Sequence, residues 1–272
     1  MSCCRPRAYE RIFGERAAAR DRRRYRRRGL PRDAREGVEL LRSRGIAGRS
    51  VLEVGAGIGA VEVELLRAGA GRAVAVELSH GYDAAAASLL AEHGLEGRVE
   101  RRIGDVVEEP PGPADLVVMN RVVCCYPDVE RLVGTAAGLA REALVLSFPR
   151  DGRLARAAVA SINLLLRLGR QEFRTYVHPH ATIHAAAERQ GLRVAHRRPG
   201  LVWQVAAFER FPAPEAGQAE GMDEEREQRE PDPAERAEEA TEESRRERGD
   251  RLIEEQSGLG AGREDDDGPR PF

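Results

Sequence analysis

Glu53, Gly55, Gly57 and Gly59 stand at alternate positions in Val51-Leu52-Glu53-Val54-Gly55-Ala56-Gly57-Ile58-Gly59, where an apolar strand runs into a glycine turn. Glycine reaches backbone conformations closed to other residues and leaves the main chain bare, so a ligand can lie directly against it. The ligand such a turn suits is a nucleoside-type cofactor. A dinucleotide fingerprint can be laid on Gly55, Gly57 and Ala60, with Glu77 at about the right distance downstream, and the glycines alone do not choose between cofactors. Glu53 favours a different chemistry, because a carboxylate at the strand end would repel a pyrophosphate and attract a cation. S-adenosylmethionine carries a sulfonium, an ammonium and no phosphate, and so wants carboxylates and glycines. A nicotinamide dehydrogenase is the rival.

The elements that must position these residues follow from periodicity. Residues 72 to 79 form a second β-branched apolar run that ends in Glu77, whose carboxylate could accept hydrogen bonds from both ribose hydroxyls. Residues 99 to 103 lead into Gly104-Asp105, residues 114 to 120 end at Asn120, and residues 143 to 148 make a fifth strand. Helix-compatible segments separate them, and that alternation predicts an α/β, doubly wound, mostly parallel sheet. A helix over residues 34 to 44 could cover the cofactor edge, with Tyr25 and Arg28 closing the pocket. Residues 153 to 168 repeat apolar side chains in a helical stripe, and the insert at 151 to 190 is the expected substrate cover. A helix from about 181 to 190 and strands near 192 to 196 and 201 to 208 complete the pattern.

With Glu53 to Gly59 as motif I, Glu77 as ribose acid, Asp105 as adenine acid and a segment after the fourth strand at Asn120, residues 34 to 210 resemble the class I S-adenosylmethionine-dependent methyltransferases. The resemblance implies a Rossmann-like, seven-stranded sheet with an antiparallel last strand. It also implies a cofactor cradle made by Glu53, Gly55, Ala56, Gly57, Gly59, Glu77, Leu78, Asp105, Val106 and Asn120. Asn120-Arg121-Val122-Val123-Cys124-Cys125-Tyr126-Pro127-Asp128 looks like a segment of a small bacterial subgroup grouped with magnesium-protoporphyrin O-methyltransferase-like proteins. Methyl transfer from a sulfonium is an in-line displacement, so the protein supplies alignment and a dry site, and the expected acceptor is a small molecule. If that acceptor is an amine or hydroxyl, His178, His180 or Tyr126 could take its proton, whereas a carboxylate acceptor needs no base. Cys124 and Cys125 are expected to be packing residues at the carboxyl edge of the sheet.

Composition sets the ends apart. All 44 residues counted as Lys+Arg are arginine. Residues 212 to 272 hold 21 acids against nine arginines, a balance of −12, so the net charge of −2 leaves +10 on the first 211 residues. The acidic tail has few aromatic or β-branched residues and is expected to be disordered. Residues 1 to 33 form an arginine-rich helical lead around Arg22-Arg23-Arg24-Tyr25-Arg26-Arg27-Arg28 and are expected to be a solvated helix. An RNA-contacting arm is the alternative reading, which would make the chain an RNA methyltransferase. A catalytically decayed cofactor-binding interaction protein is the alternative from another class. Cys3-Cys4 and Cys124-Cys125 suit neither a disulfide framework nor a zinc site, and no clustered carboxylates suggest a metal. No signal-peptide core or apolar run of spanning length is present, so the expectation is a cytoplasmic enzyme with no membrane partner.

Overall fold

The computed structural model describes residues 6–210, so the expected disordered tail and the Cys3-Cys4 pair lie outside the described residues. Seven strands form one sheet: β1 Ser50–Val54, β2 Arg72–Glu77, β3 Val99–Ile103, β4 Ala114–Asn120, β5 Ala140–Pro149, β6 Leu192–Arg198 and β7 Trp203–Arg210. Their spatial order is β3-β2-β1-β4-β5-β7-β6. Neighbours from β3 to β5 are parallel, and β7 runs antiparallel between β5 and β6. This is the Rossmann-like methyltransferase fold, with the last strand reversed.

Among the described residues, eight α-helices accompany the strands: α1 Pro6–Ile12, α2 Glu15–Arg28, α3 Arg32–Ser43, α4 Ala60–Arg67, α5 Asp83–His93, α6 Val129–Leu139, α7 Arg153–Leu168 and α8 His180–Glu188. The period-two alternation of the strands assigns each side chain to a face. Leu52, Val54, Val117, Met119, Leu144 and Leu146 share one apolar core with residues of α1, α6 and α8. Val51, Leu116, Val118, Ala143 and Val145 share the other with α2, α3, α4 and α5. Glu53 has the parity of Val51 and therefore points under α4. Asn120 and Ser147 have the parity of Val118 and Val145, toward α3. Two polar clusters are thus placed by strand parity alone.

β5 begins three residues before the apolar run that predicts it, because Ala114 pairs with Ala140 across a bulge and carries exposed Arg141 and Glu142 into the ladder. The arginine-rich lead is not solvated on all sides. Ala17 and Ala18 are buried, Tyr25 donates to Glu64 Oε1 at 2.6 Å, and Arg22 and Arg26 reach Ser88 and Glu92 on α5. At the bend between α1 and α2, Ser79 Oγ donates to the Phe13 carbonyl at 2.7 Å. A Cβ built on Gly81 would lie 2.5 Å from Gly14 Cα, so the lead docks backbone against backbone. Gly81→Ala should therefore lift the lead from the domain, read as faster limited proteolysis near residue 14 with the melting of the remaining domain little changed. Equal cleavage rates would show that the contact can shift at no cost. Among the described residues, no helix is long and apolar enough to cross a membrane.

Candidate active site

A cavity of about 460 Å³ opens over the carboxyl ends of β1, β2 and β4, where the strand order reverses between β1 and β4. Its floor is the turn after β1. Gly55, Gly57 and Gly59 hold φ of 67°, 54° and 76°, left-handed values that disfavour any residue with a Cβ. A Cβ on Gly55 would also meet Val122 Cγ2 at 2.5 Å. The turn ends where Gly59 caps α4.

Glu53 is 2 % exposed and lines the cavity, and its Oε2 accepts from the Glu62 amide at 2.9 Å. That amide belongs to the first turn of α4, the position that would grip a pyrophosphate in a dinucleotide site. The carboxylate already occupies it. An anionic ligand would find this helix end filled and a carboxyl in its path, whereas a cation would find an attractive partner. The Glu62 side chain lies behind the turn, wholly buried, with no hydrogen-bond partner for either oxygen. Burial and the neighbouring Glu62 carboxyl push Glu53 well above the usual carboxylate range, a shift that a cation bound beside it would oppose by favouring the ionised form. Burial raises Glu62 to about 7 against the pull of the Arg101 guanidinium.

Glu77, at the end of β2, accepts from the Gly57 amide at 2.8 Å through Oε2, and from Leu78 and Ser79 amides at 2.8 and 3.0 Å through Oε1. Three backbone donors hold it rigidly at the cavity edge, with acceptor capacity left on Oε2. Asp105 accepts from the Val107 amide at 3.0 Å and from the Tyr126 hydroxyl at 3.0 Å. Tyr126 is therefore oriented by Asp105, as a donor, rather than held as a base. Beyond β4, Asn120 Oδ1 accepts from Ser147 Oγ at 2.7 Å. Next to it Arg121 adopts φ of 60° and clasps the buried Asp33 of α3 through Nε and Nη2 at 2.8 and 2.6 Å. The Arg121 guanidinium also lies 4.7 Å from the centre of the Trp203 ring.

Of the residues expected in the cradle, Glu53, Gly55, Ala56, Gly57, Glu77, Leu78, Asp105, Val106 and Asn120 line the cavity, and Gly59 lies just behind it as the helix cap. Tyr126 lines it too. His178 does not. Its Nε2 lies 3.0 Å from the Tyr126 carbonyl, its ring stacks on Tyr176 at 5.6 Å, and burial depresses its pKa. His180 turns to the Pro149 carbonyl and Gln204. No residue of 151 to 190 lines the cavity. Its cover is the lead: Tyr9, Phe13, Arg20, Asp21, Arg24 and Tyr25 form that wall, whereas Arg28 is exposed away from it. Tyr82 lines the cavity with Glu77 and Gly57, and its hydroxyl donates to Asp21 at 2.9 Å. Burial first, and Asp21 second, raise the Tyr82 hydroxyl far above an ordinary phenol, so it remains a donor. Cys124 is buried, with its Sγ 3.6 Å from that of Cys125, which lines the cavity.

The family model described as "Methyltransferase domain" matches residues 22–197. The ribosomal protein L11 methyltransferase of Pelotomaculum thermopropionicum is 40 % identical over 73 residues, 27 % of this chain and 24 % of that protein. The chain thus matches about a quarter of the length of that curated relative. Among solved structures, the magnesium protoporphyrin IX methyltransferase of Synechocystis PCC 6803 with bound SAH aligns at a TM-score of 0.59 with 21 % identity, covering 74 % of this chain and 98 % of that one. An O-methyltransferase family protein of Burkholderia thailandensis aligns at 0.55 with 21 % identity, covering 74 % of this chain and 64 % of that one.

Proposed function

The chain belongs to the methyltransferase-domain family, whose donor is S-adenosylmethionine, and on that premise we propose that it methylates a small-molecule acceptor by direct in-line displacement. The observation that carries this reading is the Glu53 carboxylate on the first turn of α4. It turns a site that could have held phosphate into one that draws a cation. When bound, the cofactor supplies an electrophilic methyl group on a sulfonium. Glu53 would face its cationic methionine end, Glu77 would accept from the ribose, and Asp105, aimed by Tyr126, would accept from the adenine amine.

The wall beyond β4, with Asn120, Arg121, Val122 and Cys125, is where the acceptor would meet the methyl group. Tyr9 and Phe13 of the lead would shut water out of that end. The proposal needs no side-chain base. His178 stands off the cavity, and the Tyr126 hydroxyl is spent on Asp105. An acceptor that loses no proton in the transfer, or loses it to water, fits such a wall. The arginine-rich lead favours the small-molecule reading over RNA, because Arg22 and Arg26 are engaged with α5 and Tyr25 is tied to Glu64 instead of free to stack a base.

Calorimetry with S-adenosylmethionine, its demethylated product and NAD, followed by a search of host extract with labelled cofactor, tests the proposal. Binding of the first two and a labelled product of low molecular mass are expected. Binding of NAD alone would overturn it, label in RNA would favour the arm reading, and tight cofactor binding without any turnover would favour the decayed-enzyme reading. Glu77→Ala should weaken cofactor binding by about 1.5 to 3 kcal/mol, the worth of a charged hydrogen bond. An unchanged affinity would mean that Glu77 serves only the turn.

A further inference from the structure

Helix α7 buries none of its residues fully, although its sequence is apolar along most of its length. At 100° per residue, Leu154, Ile162, Leu164, Leu165 and Leu168 fall within a sector of about 160°, and they are 88 %, 47 %, 57 %, 68 % and 72 % exposed. The narrow face opposite, with Val159, Asn163 and Leu166, rests on the domain. Arg153, Arg156 and Arg167 form a stripe along one border of the exposed apolar face, and the helix contains no acid. The β6–β7 hairpin exposes apolar side chains as well. Leu201 and Val202 at its tip are 93 % and 58 % exposed, and the Arg150 amide donates to the Val202 carbonyl at 3.0 Å, joining the tip to the start of α7.

We propose that α7 and this hairpin tip form a docking surface for an anionic lipid bilayer, with α7 lying in the plane of the interface. A helix that lies on a membrane needs a wide apolar face and a cationic border, not spanning length, so the absence of a long apolar helix among the described residues does not bear on it. The arginines choose the occupant. Lipid phosphates answer them, whereas a second copy of α7 brings no acid to do so. The surface is also tied to the cavity. Asn163 of α7 holds the Thr175 backbone at 2.8 and 2.9 Å, and Thr175 Oγ1 and the Tyr176 amide both donate to the Cys124 carbonyl, beside the cavity residue Cys125.

The inference goes beyond the proposed function and is read without any methyl transfer. The full chain should co-sediment with phosphatidylglycerol vesicles at low salt, much less at high salt, and hardly at all with phosphatidylcholine vesicles. The triple substitutions Leu154→Ser/Leu165→Ser/Leu168→Ser and Arg153→Gln/Arg156→Gln/Arg167→Gln should each cut the bound fraction at least about tenfold. Their melting should be unchanged, since every altered side chain is exposed. Failure of the full chain to bind phosphatidylglycerol vesicles, or equal binding by the serine variant, overturns the proposal. So does a dimer in sedimentation velocity that the serine variant dissolves, which would assign the face to a second copy.

Discussion

Arg121→Met should lower the unfolding free energy by about 3 kcal/mol, measured by urea titration. The substitution strands Asp33, which is 6 % exposed and receives two of its hydrogen bonds from the Arg121 guanidinium. Only Ser147 Oγ, at 3.3 Å, would remain to it. Breaking a buried pair by removing one partner is costly because the other charge stays behind without compensation. The value sits at the low end of the usual range because the Arg121 side chain is 33 % exposed. Adding Asp33→Asn to the variant should recover part of the loss, and a loss below about 1 kcal/mol in the single variant would mean that the pair does not hold α3 to the sheet. The same arginine carries a left-handed φ, which Ser147 braces by accepting the Arg121 amide with both its hydroxyl at 2.9 Å and its carbonyl at 3.2 Å.

Glu62→Gln should have the opposite sign, stabilising the protein at pH 8 by about 3 kcal/mol. In the folded chain Glu62 titrates near 7, raised from 4.5 by burial. Between those values the native state keeps a proton that the unfolded chain has lost, so the contribution is fully present below about 4.5 and lost as pH rises through 7. The gain from glutamine should therefore be large at pH 8 and vanish near pH 4.5. Denaturant midpoints of both proteins across this window measure it. A glutamine variant no more stable than the parent at pH 8 would show that the carboxyl is paired after all. The acid is best explained by its place beneath the glycine turn, where its Oε1 would lie 2.3 Å from a Cβ on Gly59.

What could be read from the sequence, and what could not, divides by distance along the chain. The glycine turn, Glu77 and Asp105 each sit at the end of a strand, so a run of β-branched residues announces both the element and the side chain it presents. The doubly wound, mostly parallel sheet is expected from the same alternation. The Arg121–Asp33 clasp joins residues 88 apart, and no local pattern marks either as buried. Glu62 reads as an ordinary helix acid, yet strand parity turns Glu53 under α4 and α4 then seals Glu62 inside. His178 is a candidate base because its segment is expected near the methyl group, but that segment folds back onto the carbonyls after β4 instead of into the cavity. The lead is legible as a helix with Tyr25 toward the pocket, but not the docking of its bend, which brings together two glycines, Gly14 and Gly81, whose lack of side chains matters only once they meet.

That meeting of glycines makes one wall of the cavity unlike the others. The turn and the strand ends belong to the core of the sheet, whereas α1 and α2 pack onto it from outside, through Ala8, Tyr9 and the Tyr9–Phe13–Phe173 ring contacts, Ala17 and Ala18, side-chain bonds to α4 and α5, and bare backbone at the bend. Elements that pack onto a sheet without joining its strands open locally before the domain unfolds. A ligand gripped between the lead and the turn binds only the closed arrangement, so filling the site and shutting it are one equilibrium. The chain's first two helices therefore borrow part of their own folding free energy from whatever lies beneath them.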